Sequence, residues 1–369
     1  MKNMLMGATA LAMVGGASYA GGIDRSGQGV NILFEEGNYA QITFSVVNPN
    51  VDAQPNETLA AVPIPGATIP AFDVAQSYSD FSLGYKHEVN DKLDIAIIYD
   101  NPFGAHVDYG LNGNLLQGGM AEVNTNALTG LLQYQLGNGF SVHGGIRLLE
   151  VDGVINNSLG LLDASSDIDF GGVVGVAYEK PEIALRVALT YSSSIAADLS
   201  GTRSDNDGSN PAARDLTVDF PESVNLDFQT GVAANTLVFG SIRWVGLSGT
   251  DVNTVDGEWV NFEDDVTTYN LGIAQRINDK LSLALRFGYE APGTRPSNTA
   301  LSPSTGSRSI GIAGTYQLNE TISLSGGITY AKLGDQSFLL NNPLLPPGAG
   351  YDYQDSDAIG VGFRIGMRF

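Results

Sequence analysis

Leu281-Ser282-Leu283-Ala284-Leu285-Arg286-Phe287-Gly288-Tyr289-Glu290 places a bulky apolar residue at every odd position and a small, polar or charged one at every even position. Unbroken alternation with period two marks a strand whose two faces meet different surroundings. About ten residues is also the length with which a tilted strand crosses a bilayer. The pattern returns at Ile183, Leu185, Val187, Leu189 and Tyr191, interleaved with Ala184, Arg186, Ala188, Thr190 and Ser192. It returns again at Ile359, Val361, Phe363, Ile365, Met367 and Phe369, between which stand Gly360, Gly362, Arg364, Gly366 and Arg368.

Such segments are joined in pairs by six short polar turns: around Asn90-Asp91, Gly137-Asn138-Gly139, Lys180-Pro181, Ala234-Asn235, Asn278-Asp279 and Asn319-Glu320. The connections between the pairs are long and rich in Asp, Asn, Pro and Gly. Short turns on one side and long loops on the other are the pattern of an outer-membrane barrel. Six turns give twelve strands, and residues 39–47 and 356–369 add one at each end. The fold class expected is therefore all-β, a transmembrane antiparallel β-barrel of about fourteen strands. A soluble β-sandwich or propeller would alternate too. It would not so regularly finish its apolar face in Tyr, as at Tyr85, Tyr99, Tyr134, Tyr178, Tyr191, Tyr289 and Tyr330, where an aromatic girdle belongs. Phe369, with apolar residues at every second position before it, resembles the signal read by the outer-membrane assembly machinery.

Residues 1–20 carry Lys2, an apolar stretch over positions 4–14 and small residues ending in Ser18-Tyr19-Ala20, the form of a secretory signal peptide cut before Gly21. The mature chain then has 17 basic and 40 acidic residues, net −23. That charge argues against nucleic acid as a partner, since no basic patch is segregated from it. No run approaches the roughly 18 apolar residues of a spanning helix, and the absence of Cys removes disulfides, thiolate metal sites and Cys nucleophiles together.

Three short strings carry a resemblance to a known family: Asp24-Arg25-Ser26-Gly27-Gln28, Phe34-Glu35-Glu36-Gly37-Asn38-Tyr39, and Tyr99-Asp100-Asn101-Pro102-Phe103-Gly104-Ala105. With these strings and its strand count the chain resembles the FadL family of outer-membrane transporters for long-chain fatty acids and other hydrophobic compounds. The resemblance implies three parts: a signal peptide (1–20), an N-terminal hatch or plug (21–35) and the barrel (36–369). It also implies a kink in the third strand that opens the wall sideways to the membrane, placed here at Asn101, Pro102, Phe103 and Gly104. The chain departs from the better-known members in having only about fifteen residues before its first strand and no Asn-Pro-Ala string there. Within that segment Arg25, Ile32, Leu33 and Phe34 are the candidates to lie inside the barrel and touch ligand.

Read without the family, Asn101-Pro102 has two meanings. Pro lacks the ladder donor, so Pro102 with Gly104 either interrupts strand pairing or simply marks where a strand gives way to a loop. The small face carries Arg147, Arg186, Arg243, Arg276, Arg286, Arg364 and Arg368, with Asp94, Asp100, Asp169, Asp227 and Glu290 on the same side. These form either a lumenal salt-bridge network or, through Arg147, Arg186, Arg243 or Arg286, a bidentate site for the carboxylate of an amphiphile. The loops hold apolar clusters: Leu59, Val62, Ile64, Ile69 and Phe72; Leu111, Leu115, Leu116 and Met120; Leu159, Leu161 and Leu162; Phe338, Leu339, Leu340, Leu344 and Leu345. They make either a groove that collects hydrophobic molecules or a cap of loops packed on each other, with a short helix over 112–122.

Enzymatic chemistry has little footing. Ser141 and His143 share a face but lack a third, orienting group, and Asp205-Asn206-Asp207-Gly208 lacks the EF-hand register. No catalytic residue, metal or cofactor is expected. The function expected is passive uptake of a hydrophobic small molecule, a long-chain fatty acid before others, by a monomer surrounded by outer-membrane lipid and lipopolysaccharide, with lateral release near the third strand. A non-specific diffusion porin and a structural or adhesive surface barrel are the alternatives.

Overall fold

The computed structural model describes residues 23–63, 69–111, 113–294 and 301–369. The expected signal peptide, Gly21, Gly22 and Ile64 lie outside the described residues. Alternating segments become β1 (Tyr39–Asn50), β2 (Tyr78–Asn90), β3 (Leu93–Asp100, resumed at Gly104–Asp108), β4 (Met120–Gly137) and β5 (Phe140–Asn157). They continue as β6 (Asp169–Lys180), β7 (Leu185–Ser192), β8 (Ser223–Ala233), β9 (Thr236–Val245) and β10 (Val266–Arg276). The ring is completed by β11 (Leu281–Glu290), β12 (Ser307–Gln317), β13 (Ile322–Leu333) and β14 (Asp357–Arg368). Each pairs antiparallel with its neighbours, and β1 pairs with both β2 and β14, so the fourteen strands close on themselves. Closure leaves no edge to be satisfied in lipid.

All six expected turns join strands at one rim. In Gly137-Asn138-Gly139 the three φ angles are 93°, 54° and 84°, a run of left-handed backbone that Gly and Asn adopt at little cost. One boundary differs from expectation. Ile183 lies in the 3₁₀ turn Pro181–Ile183, and β7 starts at Leu185 because Pro181 opens the turn and Ala184 takes a left-handed conformation.

The bulky face looks outward and, among the described residues, meets no second protein layer. Phe44, Ile97, Leu132, Ile146, Leu271, Phe287, Ile312 and Val361 are all exposed around the ring, whereas a sandwich would bury them. Near the turns, Tyr85 stacks on Phe369 with ring centroids 6.1 Å apart, and Phe140 packs on Tyr178 at 4.7 Å. Near the other rim, the Tyr191 hydroxyl donates to Glu222 at 2.5 Å and the Tyr330 hydroxyl to Asp357 at 3.3 Å. Rings with one wet end at two levels are what the bilayer interfaces select.

The long loops settle into a cap. Asp52–Pro55, Phe72–Asp73, Gln336–Leu339 and Gly350–Tyr353 form a four-stranded sheet over the barrel. Under it Leu59, Phe72, Tyr109, Tyr351 and Tyr353 are buried, with Leu116, Phe338, Leu340 and Leu345 packed against them. A second patch adds the strands Gly160–Ser166, Ile195–Ser204 and Ala212–Phe220 to the upper end of β5, with Leu162, Leu199 and Leu216 buried inside. Each such side chain contributes roughly 1.5–3 kcal/mol by leaving water, so most of the loop grease is consumed by loop packing. Leu111 and Leu344 stay outside, 86% and 90% exposed. The helix expected over 112–122 does not form. Among the described residues, 113–119 are turns and β4 starts at Met120. Asn114 takes over the local backbone there, accepting from Leu116 N at 2.7 Å and donating to the Tyr109 carbonyl at 2.8 Å.

Candidate functional site

β3 breaks where the sequence puts Asn101-Pro102. Below the break Leu83 pairs with Tyr99; above it Gln76 N donates to the His106 carbonyl at 3.1 Å and Asp108 N to the Val74 carbonyl at 2.9 Å. Between these limits β2 and β3 share no ladder rung, so the wall has a window flanked by residues 78–82 and 101–105. Side chains take the place of the missing rungs. Asn101 accepts from Phe81 N at 3.3 Å and donates to the Thr125 carbonyl at 2.8 Å, tying β2 to β4 across the break. Thr125 Oγ1 accepts from Phe103 N at 2.9 Å and donates to the Phe103 carbonyl at 2.6 Å. Both backbone groups of a buried residue are thus satisfied by one hydroxyl.

The N-terminal segment completes the break from inside. Asp24 bridges Phe103; Arg25 N donates to the Pro102 carbonyl at 2.9 Å and Gly104 N to the Ile23 carbonyl at 2.8 Å. The segment then crosses the lumen. Arg243 grips Asp24 through two nitrogens at 2.7 and 2.8 Å, Ser26 donates to Asp100 at 2.6 Å, and Ser223 donates to Gln28 at 2.7 Å. At Asn31–Phe34 it turns as a 3₁₀ helix, with Ile32 and Leu33 buried against Ala96, Ile98, Leu131 and Val173. Gly84 makes this fit possible, since a Cβ there would stand 2.5 Å from the Ile32 terminal methyl. Phe34 lies beneath the Arg186 guanidinium at 4.7 Å and edge-on to His143. Lys86 Nζ donates to the Glu35 carbonyl at 2.6 Å at the segment's end.

Two cavities meet at the window. The one under the cap has a volume of about 160 Å³ and an apolar lining drawn from β1, β3, β4, β5 and the loops, including Val47, Val107, Val123, Ile155, Phe220 and Phe262. The one in the lumen, about 230 Å³, is more polar than the first and is lined by Asp80, Asp100, Asp227, Arg243, Arg286 and Arg364 among others. Arg25 borders both.

Of the arginines considered for carboxylate binding, Arg243 and Arg286 line the polar cavity, but Arg243 is engaged by Asp24 and Asn225. Arg147 and Arg186 are buried behind the N-terminal segment. Arg147 donates to Thr129 at 3.0 Å and Arg186 to Gln229 at 3.2 Å. Ser141 accepts from Gln133 at 3.1 Å while His143 Nε2 pairs with Thr190 at 2.9 Å, so no Ser–His hydrogen bond forms. Tyr78, Asp80 and Thr125 escaped the sequence reading. Nothing separates Thr125 from the other small inward residues of its strand, and Tyr78 and Asp80 acquire meaning only from the window beside them.

The closed fourteen-strand antiparallel barrel with the N-terminal segment in its lumen has a FadL-like fold. Among solved structures the chain is similar to a FadL homologue from Pseudomonas aeruginosa, with 12% identity, a TM-score of 0.78 and coverage of 99% of this chain and 98% of that one. It is similar also to the toluene transporter TodX of Pseudomonas putida, with 13% identity, a TM-score of 0.63 and 98% of each chain covered. The toluene transporter TbuX of Ralstonia pickettii follows with 11% identity, a TM-score of 0.57 and 97% of each chain covered. No protein-family model and no curated protein sequence matches the chain.

Proposed function

We propose that the protein is an outer-membrane channel for passive uptake of hydrophobic compounds, with a long-chain fatty acid or similar amphiphile as cargo. The observation that carries this reading is the apolar cavity under the cap ending at an unpaired stretch of wall. A molecule that leaves water for the cavity gains the usual apolar transfer energy. From there the window leads sideways into hydrocarbon, so the cargo avoids the charged lower lumen, where the N-terminal segment and its ion pairs stand. Solved channels of the same fold that are described as toluene transporters fit this class of cargo. Pro102→Val restores the missing ladder donor and is expected to slow uptake of radiolabelled oleate several-fold while leaving arabinose permeability unchanged. Equal slowing of both would overturn the reading, and steady ion conductance in planar bilayers would favour a diffusion porin.

A further inference from the structure

The window is occupied by the side chain of Arg25. Its guanidinium carbon lies 4.2 Å from the centroid of the Tyr78 ring, and one nitrogen is 3.9 Å from Asp80 Oδ1. On the opposite side Gly104 supplies the room, because a Cβ there would stand 2.5 Å from Arg25 Nε. The backbone of Arg25 is pinned to Pro102, and its neighbours Asp24 and Ser26 are held by Arg243 and Asp100. Only the side chain is therefore free to swing. It is 8% exposed, and Asp80 at 3.9 Å is the nearest charged partner the structure gives it; among the described residues the guanidinium donates no hydrogen bond. A largely buried cation with only a long charge contact, standing at the edge of an apolar cavity, suits an amphiphile whose head accepts hydrogen bonds.

We infer that Arg25 is the shutter of the window and that a hydrogen-bond-accepting head group, a carboxylate above all, withdraws it. The inference rests on the lateral release proposed above. A carboxylate in the cavity takes two parallel N–H bonds from the guanidinium, replacing the long contact with Asp80 and the face of Tyr78. As the guanidinium turns to the head group, the space beside Gly104 opens for the tail. A hydrocarbon has no head to offer in exchange and gains nothing that favours the open state. The shutter thus ranks cargo by head chemistry, whereas the cavity above ranks it by apolar bulk.

The test is uptake of radiolabelled dodecanoate and dodecane by cells carrying the full-length protein in their outer membrane. Arg25→Ala is expected to lower the dodecanoate-to-dodecane ratio about tenfold or more, the worth of one charge-assisted hydrogen bond, chiefly by faster passage of dodecane. Arg25→Lys keeps part of the preference. Gly104→Ala, whose methyl pushes the guanidinium out of the window from the other side, gives a second variant that shifts the ratio the same way. An unchanged ratio in Arg25→Ala and Gly104→Ala, with both probes still passing, would overturn the shutter alone. If the unaltered protein passes neither probe faster than cells lacking it, the uptake reading falls and the shutter with it.

Discussion

A proline in the third strand leaves main-chain groups on both sides of the break to be satisfied, and two side chains do most of it. Thr125 serves both the N–H and the carbonyl of Phe103. Thr125→Val keeps the volume but leaves two buried backbone groups without partners, at roughly 1–3 kcal/mol each. The expected outcome is faster amide hydrogen exchange over residues 101–105 with the other strands unchanged; uniform exchange across the barrel would contradict it. Half of this arrangement was legible in the sequence. Pro102 announces a lost donor wherever it stands, so the two readings of Asn101-Pro102 were available in advance. The choice between them depends on what lies opposite, and the bonds from Asn101 to Phe81 and Thr125 are set by how β2 and β4 flank the break rather than by residues beside the proline.

At the scale of elements, the loops depart furthest from the sequence reading. Leu111, Leu115, Leu116 and Met120 are spaced like a helical stripe, yet Gly113 and Gly118 take φ of 85° and 80° and the segment turns instead. The hairpin of Val252–Thr254 and Gly257–Val260 shows how such loops are held. It buries Trp259 completely and is tied to the strand Ala212–Phe220 by Arg214, which donates to Asp256 at 2.5 and 3.0 Å. The Arg214 hydrogen bond holds the Asp256 carboxyl below the usual carboxylate range. A lowered folded value means the pair supports the hairpin above the ordinary value near about 4 and is lost as pH falls through the lowered one. Limited proteolysis along a descending pH series is therefore expected to begin cutting near residues 252–260 only below the ordinary carboxylate value, and Asp256→Asn should be cut alike at every pH of the series. Cleavage independent of pH in the unaltered protein would show that Trp259 holds the hairpin without the pair.

For the molecule as a whole, the alternation dictated almost everything about the ring and little about its interior. Bulky residues two apart face outward with nothing over them, and the strand count and turns followed from that single regularity. The inner face could be marked only as small, polar and cationic. Which charge meets which was hidden, because Asp24 reaches Arg243 across more than two hundred residues of chain. The outward assignment carries its own check. Ile312→Arg on β12 is expected to destabilise the folded barrel in lipid by about 2–4 kcal/mol if it lies at the bilayer midplane, read from denaturant titrations in liposomes. A negligible cost would place that face in water.

The window also gives the ring a mechanical weak point. Around the rest of its circumference, tension passes from strand to strand through a row of backbone rungs, but between β2 and β3 at this level it passes through the amide of Asn101. A hoop yields at its softest link. Stretching or thinning of the surrounding bilayer is then felt first at this breach, so the membrane itself sets how far the seam is strained.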